Sequence, residues 1–268
     1  MTTHILLQCS KNKSLDVSDR LVWSSKTKLV NWKQTWENMN DKLPANEMYN
    51  GRTIKKEFEL LKKFNDIKVY IISAGGGLIP LEDEIPSYEA TFSPNYGPLP
   101  EQWSHLPHGG LEKLEFKNED TIVSFAAPKY HKALLHDIEI NHLASRMVVA
   151  NTSPLSTLTG ISSVEIHPRT AEYLKIALID LNSELLKIFL KSGTNGFNNL
   201  YKEVGELPPP AERASISDND LLVLIQSLTN LSSITKTVHH LRHTLNISAS
   251  YERIRGAILE VRSLKQSF

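Results

Sequence analysis

Apolar residues run almost unbroken through four short stretches of this chain and recur at helical spacing between them. His4 to Gln8, Ile67 to Ser73, Thr121 to Ala127 and Met147 to Asn151 read as strands, because a near-continuous apolar run of this length suits a sheet covered on both faces. Thr53 to Phe64 places Ile54, Phe58 and Leu61 on one helical face, and Asn65-Asp66 closes it. Strand, helix and strand joined by a short loop predict a parallel pair. Pro128 stands at a first helical position ahead of a helix to about Ala144. From Pro168 to Lys191, Ala171, Leu174, Leu178, Leu181 and Leu185 share a face and predict one long amphipathic helix. Between Leu15 and Asn40, Trp32 and Trp36 are four apart and are expected, with Trp23, in the core.

The pattern weakens from Gly193 to Pro210, which is rich in Gly, Asn and Pro and ends in the stiff run Pro208-Pro209-Pro210. This predicts an α/β domain over residues 1–192, a linker over 193–215 and a helical module over 216–268. In the last, Asp218 is expected to cap a helix through Leu231, and Ser232 or Ser233 to start a second with Ile234, Val238, Leu241 and Leu245 inward. Asn246-Ile247-Ser248 reads as a tight turn before a third helix, Ala249 to Val261, with Ile254, Ala257, Ile258 and Val261 inward. That is the layout of a helix-turn-helix. The expected fold class is α/β, a mostly parallel sheet flanked by helices, plus a small all-α C-terminal module.

Charge changes this picture only locally. With 30 basic and 30 acidic side chains the net charge is zero, so no global field draws the protein to nucleic acid or membrane. From Ser232 to Phe268, however, six Lys/Arg face Glu252 and Glu260. Lys236, Arg242, Tyr251, Arg253, Arg255 and Arg262 are therefore candidate DNA contacts, against the alternative of a generic oligomerisation module. The single cysteine, Cys9, fits a reducing compartment, and no apolar run reaches membrane-spanning length. The N-terminus lacks the charged and apolar regions of a signal peptide. The expectation is a cytoplasmic protein with no membrane partner, its self-association left open.

Candidate chemistry gathers where the strands end. In Val69 to Tyr88, the strand runs into Gly75-Gly76-Gly77, a segment able to offer main-chain N–H groups to a ligand after Ser73. A glycine-rich turn without a ligand is the competing reading. The first strand ends at Cys9-Ser10-Lys11-Asn12-Lys13, on the side where open α/β sheets bind ligands. Lys11 and Lys13 suit a phosphate or carboxylate, and Cys9 in a cationic setting suits a nucleophile. Lys129 and Lys132, near a helix start, oppose its dipole, which an anion would relieve. His105 and His108 are three apart without nearby ligand partners, so neither a metal nor another cofactor is expected.

The order Cys9-Ser-Lys-Asn-Lys13, Met48-Tyr-Asn-Gly51, Ile72-Ser-Ala-Gly-Gly-Gly-Leu-Ile79 and Ile85-Pro-Ser-Tyr88, with Val123 to Tyr130 as VSFAAPKY, resembles the YaaA-type peroxide-stress proteins and their bacterial and phage relatives over roughly residues 3–170. The chain departs from them in carrying three glycines where a bulkier residue precedes the last, and Ser87 before Tyr88. The resemblance implies an α/β fold, association with nucleic acid, and kinship to enzymes of modified or exchanged nucleobases. The expected function is thus DNA-directed processing of a nucleobase or its N-glycosidic bond, with DNA ahead of RNA as partner. Glu89, Cys9 and Lys13 would be catalytic, with Glu82 and Asp83 as further carboxylates. Ser10, Lys11, Tyr49, Arg52, Ser73, Gly75, Gly76, Gly77, Tyr88, Lys129 and Tyr130 would bind substrate. A non-catalytic DNA-binding stress or defence regulator and a nucleotide sensor are the alternatives.

Overall fold

The computed structural model describes residues 2–114, 117, 119–208, 214–228 and 233–266, with the backbone alone at 243 and 264–266. Its strands are β1 (Thr3–Gln8), β2 (Lys42–Pro44), β3 (Ile67–Ser73), β4 (Gly77–Pro80), β5 (Glu84–Pro86), β6 (Thr121–Ser124), β7 (Met147–Ala150), β8 (Ser162–Val164), β9 (Ala214–Ser215) and β10 (Ile247–Ser248). Its helices are α1 (Leu29–Glu37), α2 (Ala45–Met48), α3 (Arg52–Leu61), α4 (Pro128–Ile140), α5 (Thr170–Tyr173), α6 (Leu181–Ser192), α7 (Asn195–Gly205), α8 (Asp218–Ser227), α9 (Ile234–His243) and α10 (Tyr251–Gln266). The chain divides into two compact units, residues 1–206 and 207–268. Among the described residues no helix is long and apolar enough to cross a membrane.

The first unit is built on a six-stranded sheet in the order β4-β3-β1-β6-β7-β8. All neighbours run parallel except β4, which returns antiparallel on β3. β1 lies between β3 and β6, with Leu6 opposite Tyr70 on one side and Ser124 on the other. That position explains its composition: Ile5, Leu6 and Leu7 are all buried, as a central strand covered on both faces requires. α3 buries Ile54, Phe58 and Leu61, the face its spacing predicted. Trp32 and Trp36 are buried side by side on α1, and Trp23 packs 4.8 Å from Trp32.

Two expectations are corrected here. The stretch 168–191 is not one helix: α5 ends in a Schellman motif, with Lys175 at φ +54° and the Ile176 and Lys175 N–H groups donating to Ala171 and Glu172. Leu178 is consequently exposed rather than inward, as is its neighbour Ile179, and the chain restarts as α6. Nor is 193–210 a spacer throughout, because α7 buries Phe197, Leu200 and Val204 and Phe197 joins the core of the first unit. Pro209 and Pro210 lie outside the described residues.

In the second unit Leu221, Ile225, Leu241, Ala249, Ile254, Ile258 and Val261 form a small core. Ser217, not Asp218, caps α8, its Oγ accepting from the Asp220 N–H at 3.1 Å. The predicted extension of this helix to Leu231 falls partly on 229–232, outside the described residues. α9 and α10 are joined by residues 244–250, which contain β10 paired with β9. The connection is therefore longer than the tight turn expected, and Leu245 on it is exposed.

Candidate functional site

The chain places β3 on one side of β1 and β6 on the other, so strand order reverses at the carboxyl end of β1, the position where open α/β sheets form their crevice. The loop leaving β1 is tied down on both sides. The Cys9 N–H donates to the Ile72 carbonyl (3.1 Å) and the Asn50 N–H to that of Asn12 (2.9 Å). The Gln8 Oε1 accepts from the Ala127 N–H at the start of α4 (3.0 Å). Tyr130, on the first turn of α4, reaches across and donates its hydroxyl to the Cys9 carbonyl at 3.2 Å, with its oxygen 3.9 Å from the Cys9 Sγ.

Lys13 is the unusual cation of this loop. Its Nζ lies 4.3 Å from the centre of the Tyr88 ring and 5.9 Å from that of Tyr49, a cation–π placement. Burial pulls its pKa below the usual lysine range, opposed by Cys9 and Glu89. Beneath it the Tyr49 and Tyr88 hydroxyls are 2.7 Å apart and Tyr88 is 2.5 Å from the Ser73 Oγ. Burial keeps both phenols protonated by raising their pKa values. The strand tips at Cys9 and Ser73 thus meet in one polar cluster, and Cys9, Lys13, Glu89 and Tyr130 form its outer part.

The glycine segment is not a ligand cradle. The Gly75 and Gly76 N–H groups donate to the Ser73 Oγ at 3.2 and 2.8 Å, so they are spent inside the fold. A Cβ on Gly75 would lie 2.5 Å from the Tyr88 ring, and the Trp32 Nε1–H donates to the Gly75 carbonyl at 2.7 Å. Gly75, Gly76, Gly77, Ser73, Tyr49 and Tyr88 are all buried, packed under Trp32, Trp36 and Trp103. As direct substrate contacts these residues are corrected to a support layer beneath Lys13.

Beside the loop opens a hollow of about 330 Å³ between the start of α3 and the turn before α6, lined in part by Cys9, Ser10, Lys11, Arg52, Glu57 and Ile179. Arg52 and Lys56 hold Asp180 at its edge, at 3.1 and 3.3 Å. Glu57, which the sequence reading missed, is only 4% exposed. Its carboxylate accepts from the Ser183 hydroxyl at 2.7 Å, and burial raises its pKa to about 7 against that hydrogen bond. A carboxylic acid poised near neutrality beside a cavity is the arrangement that general acid catalysis uses. Glu89 is exposed, its backbone fixed between Leu21 and Trp23. Lys129 is exposed too, its Nζ 5.3 Å from the Tyr130 ring centre. Of the other carboxylates considered, Glu82 binds the Asn46 amide and Asp83 the His108 ring; neither these nor Glu89 is among the residues lining this hollow, and Glu89 acts instead on the charge of Lys13.

In the second unit the proposed DNA contacts are partly committed to the fold. Arg253 bonds the Asp218 carboxylate and the Ile216 carbonyl, both at 2.7 Å. Arg242 donates to the Ala249 carbonyl at 2.9 Å, and Arg255 lies 3.7 Å from Glu252. Lys236, Tyr251 and Arg262 are exposed.

No curated protein and no solved structure matches this chain. Residues 33–154 match a family described only as of unknown function (DUF6884), a span that contains Arg52, Glu57, Tyr88, Glu89 and Tyr130 and leaves the Cys9–Lys13 loop outside it.

Proposed function

We propose that the crevice at the end of β1 takes a nucleotide unit of a nucleic acid, DNA ahead of RNA, in a cytoplasmic setting, and acts on the nucleobase or its N-glycosidic bond. The observation that carries this reading is the pairing of a desolvated cation, Lys13 on the Tyr88 ring, with a protonatable acid, Glu57, on either side of the same Cys9 loop. Lys11, Lys13 and Arg52 are suited to phosphate, and the hollow to a base taken out of its stack.

In this scheme the bond from sugar C1′ to the base nitrogen breaks, and its electron pair leaves with the base, which takes the Glu57 proton. A water oxygen bonds to C1′ and passes its proton to Glu89. The positive charge that develops on the sugar is the reason a second carboxylate is needed. Cys9, 3.9 Å from the Tyr130 hydroxyl and in the electrostatic neighbourhood of Lys13, helps to hold these two groups and forms no bond in this scheme.

Mass analysis of DNA and nucleosides incubated with the protein tests this. Released base or altered nucleoside is expected from the wild type, falling about 100-fold or more in Lys13→Ala and Glu57→Gln. Because Glu57 must carry its proton, activity should decline as pH rises through about 7. Unchanged DNA and nucleosides with the wild type at every pH would sink the catalytic reading and leave a binding protein.

A further inference from the structure

The turn between α5 and α6 carries the most exposed large apolar side chain among the described residues. Leu178 is 76% exposed and its neighbour Ile179 66%, and among the described residues no other two exposed large apolar side chains are consecutive. Scattered singly, such residues are ordinary on a protein surface, whereas an adjacent pair beside a cavity marks a contact. Ile179 lines the hollow together with Cys9, Lys11, Arg52 and Glu57, so the pair stands at the rim of the cavity described above.

The turn is fixed at both ends. Before it, the Schellman motif stops α5, and the Asp180 N–H donates to the Ala177 carbonyl at 2.9 Å. After it, Arg52 and Lys56 hold the Asp180 carboxylate at 3.1 and 3.3 Å, and Ser183 donates to Glu57 at 2.7 Å. Side chains displayed on so constrained a turn lose little further freedom on entering a partner. The surroundings favour a polyanion as that partner. Two cations converge on the one Asp180 carboxylate, which leaves a positive excess of one at the turn, and Lys11 adds a further cation on the lining of the hollow. Glu57, the one carboxyl group on that lining, is mostly ionised only above about pH 7. Apolar side chains set among cations suit stacked bases between phosphates.

We propose that Leu178 and Ile179 are a wedge that enters a base step of duplex DNA beside the base taken into the hollow, so that the substrate is a duplex rather than a single strand or a free nucleoside. The inference rests on the nucleobase reading above and deepens it by naming the substrate class. In a duplex the departing base leaves both its pairing partner and its stacking neighbours, and apolar side chains in the gap offset that cost by covering the bared ring faces. Phosphates flanking the step meet Lys11, Arg52 and Lys56. A single strand has no paired stack to part, so only the duplex needs the wedge.

The test uses the full chain and short DNA duplexes that each carry 2-aminopurine beside a different central base, with the same strands unpaired as controls. Wild type is expected to raise the 2-aminopurine fluorescence of at least one duplex, as unstacking does. The surface double variant Leu178→Ser/Ile179→Ser, its fold checked by circular dichroism, should lose that rise, and its base release from the duplex should fall about tenfold or more while release from the single strand stays within about twofold. Leu178→Met/Ile179→Met, which keeps an apolar wedge, should retain both. A fluorescence rise lost in the serine variant, with no base released by wild type, would support the wedge and sink only the catalytic reading. Base release that the serine variant leaves intact on the duplex, or loses equally on both strand forms, would overturn the wedge and spare that reading. The absence of any fluorescence rise with wild type would overturn the wedge as well, as would a wild-type dimer that the serine variant dissolves, since the pair would then be an interface between copies of this chain.

Discussion

Gly77→Ala is expected to destabilise the first unit by about 2–5 kcal/mol, combining the roughly 1–2 kcal/mol cost of a left-handed alanine with the roughly 1–3 kcal/mol cost of overpacking. Gly77 has φ +90°, and a Cβ there would run into the Gly109 carbonyl oxygen. Neither partner can move cheaply. That carbonyl accepts from the Leu78 N–H at 2.8 Å, and the His108 N–H donates to the Gly76 carbonyl at 2.8 Å, so the glycine corner is the clamp holding loop 106–110 to the sheet. Gly76→Ala is the contrast. Its Cβ would meet the end of the Ile79 side chain at 2.6 Å and the Trp36 ring at 3.0 Å, and the first of these can rotate away, so a markedly smaller loss is expected. Thermal unfolding of both variants measures the difference. Equal stability of Gly77→Ala and wild type would mean that the corner is not packed as described.

The second large effect concerns pH, where two buried groups oppose each other. His131 is held between the Ser124 and Ser153 hydroxyls at 2.8 and 2.6 Å, and burial pushes its pKa down from 6.5 to about 4. Its folded pKa lies below the unfolded value, so its contribution is complete above pH 6.5 and is lost as pH falls toward 4. Glu57 has the reverse sign. Its folded pKa is raised from 4.5 to about 7, so its contribution is complete below pH 4.5 and is lost as pH rises through 7. Each shift corresponds to about 3 kcal/mol at about 1.4 kcal/mol per unit, and between pH 4.5 and 6.5 the two slopes cancel. Glu57→Gln removes one of them. This variant should be about 3 kcal/mol more stable than wild type at pH 8 and nearly equal at pH 4.5, and its stability should fall steadily below pH 6.5. Denaturant titrations across this range read the effect directly; a pH-independent difference would place Glu57 in an ionised, well-solvated state. The substitution expected to abolish activity is thus the one expected to stabilise, as is common where an acid is kept buried for chemistry.

Much of the sheet was legible because β1, β6, β7 and the second half of β3 are buried and betray it by near-continuous apolar runs. Trp32 and Trp36 were legible for a similar reason, their spacing matching one helical turn. The break after α5 was hidden because Lys175, not glycine, takes the left-handed position that ends the helix, and lysine carries no such signal. α7 was obscured by composition, although Phe197, Leu200 and Val204 are spaced for one face. At the site, Cys9, Lys13 and Tyr130 could be grouped from the positions of their strands. Glu57 could not, since a glutamate in a helix ordinarily faces water, and only the approach of Ser183 from α6, 126 positions along, encloses it. The three glycines misled for a physical reason. Small residues admit a ligand or a neighbouring ring equally well, and here the occupants are Tyr88, Trp32 and Trp36.

Helix α7 carries a lesson for anyone trimming the protein. Phe197 stands 5.4 Å from Phe125, the residue that follows β6, and Phe125 lines the same small internal gap as Gln8 and Glu57. A polypeptide stopped after Glu206 should stay monodisperse and resist protease. One stopped after Ser192 would bare an oily patch next to Glu57 and should aggregate or be digested, so the last helix of the first unit serves as a buttress for the carboxyl end of the central strands.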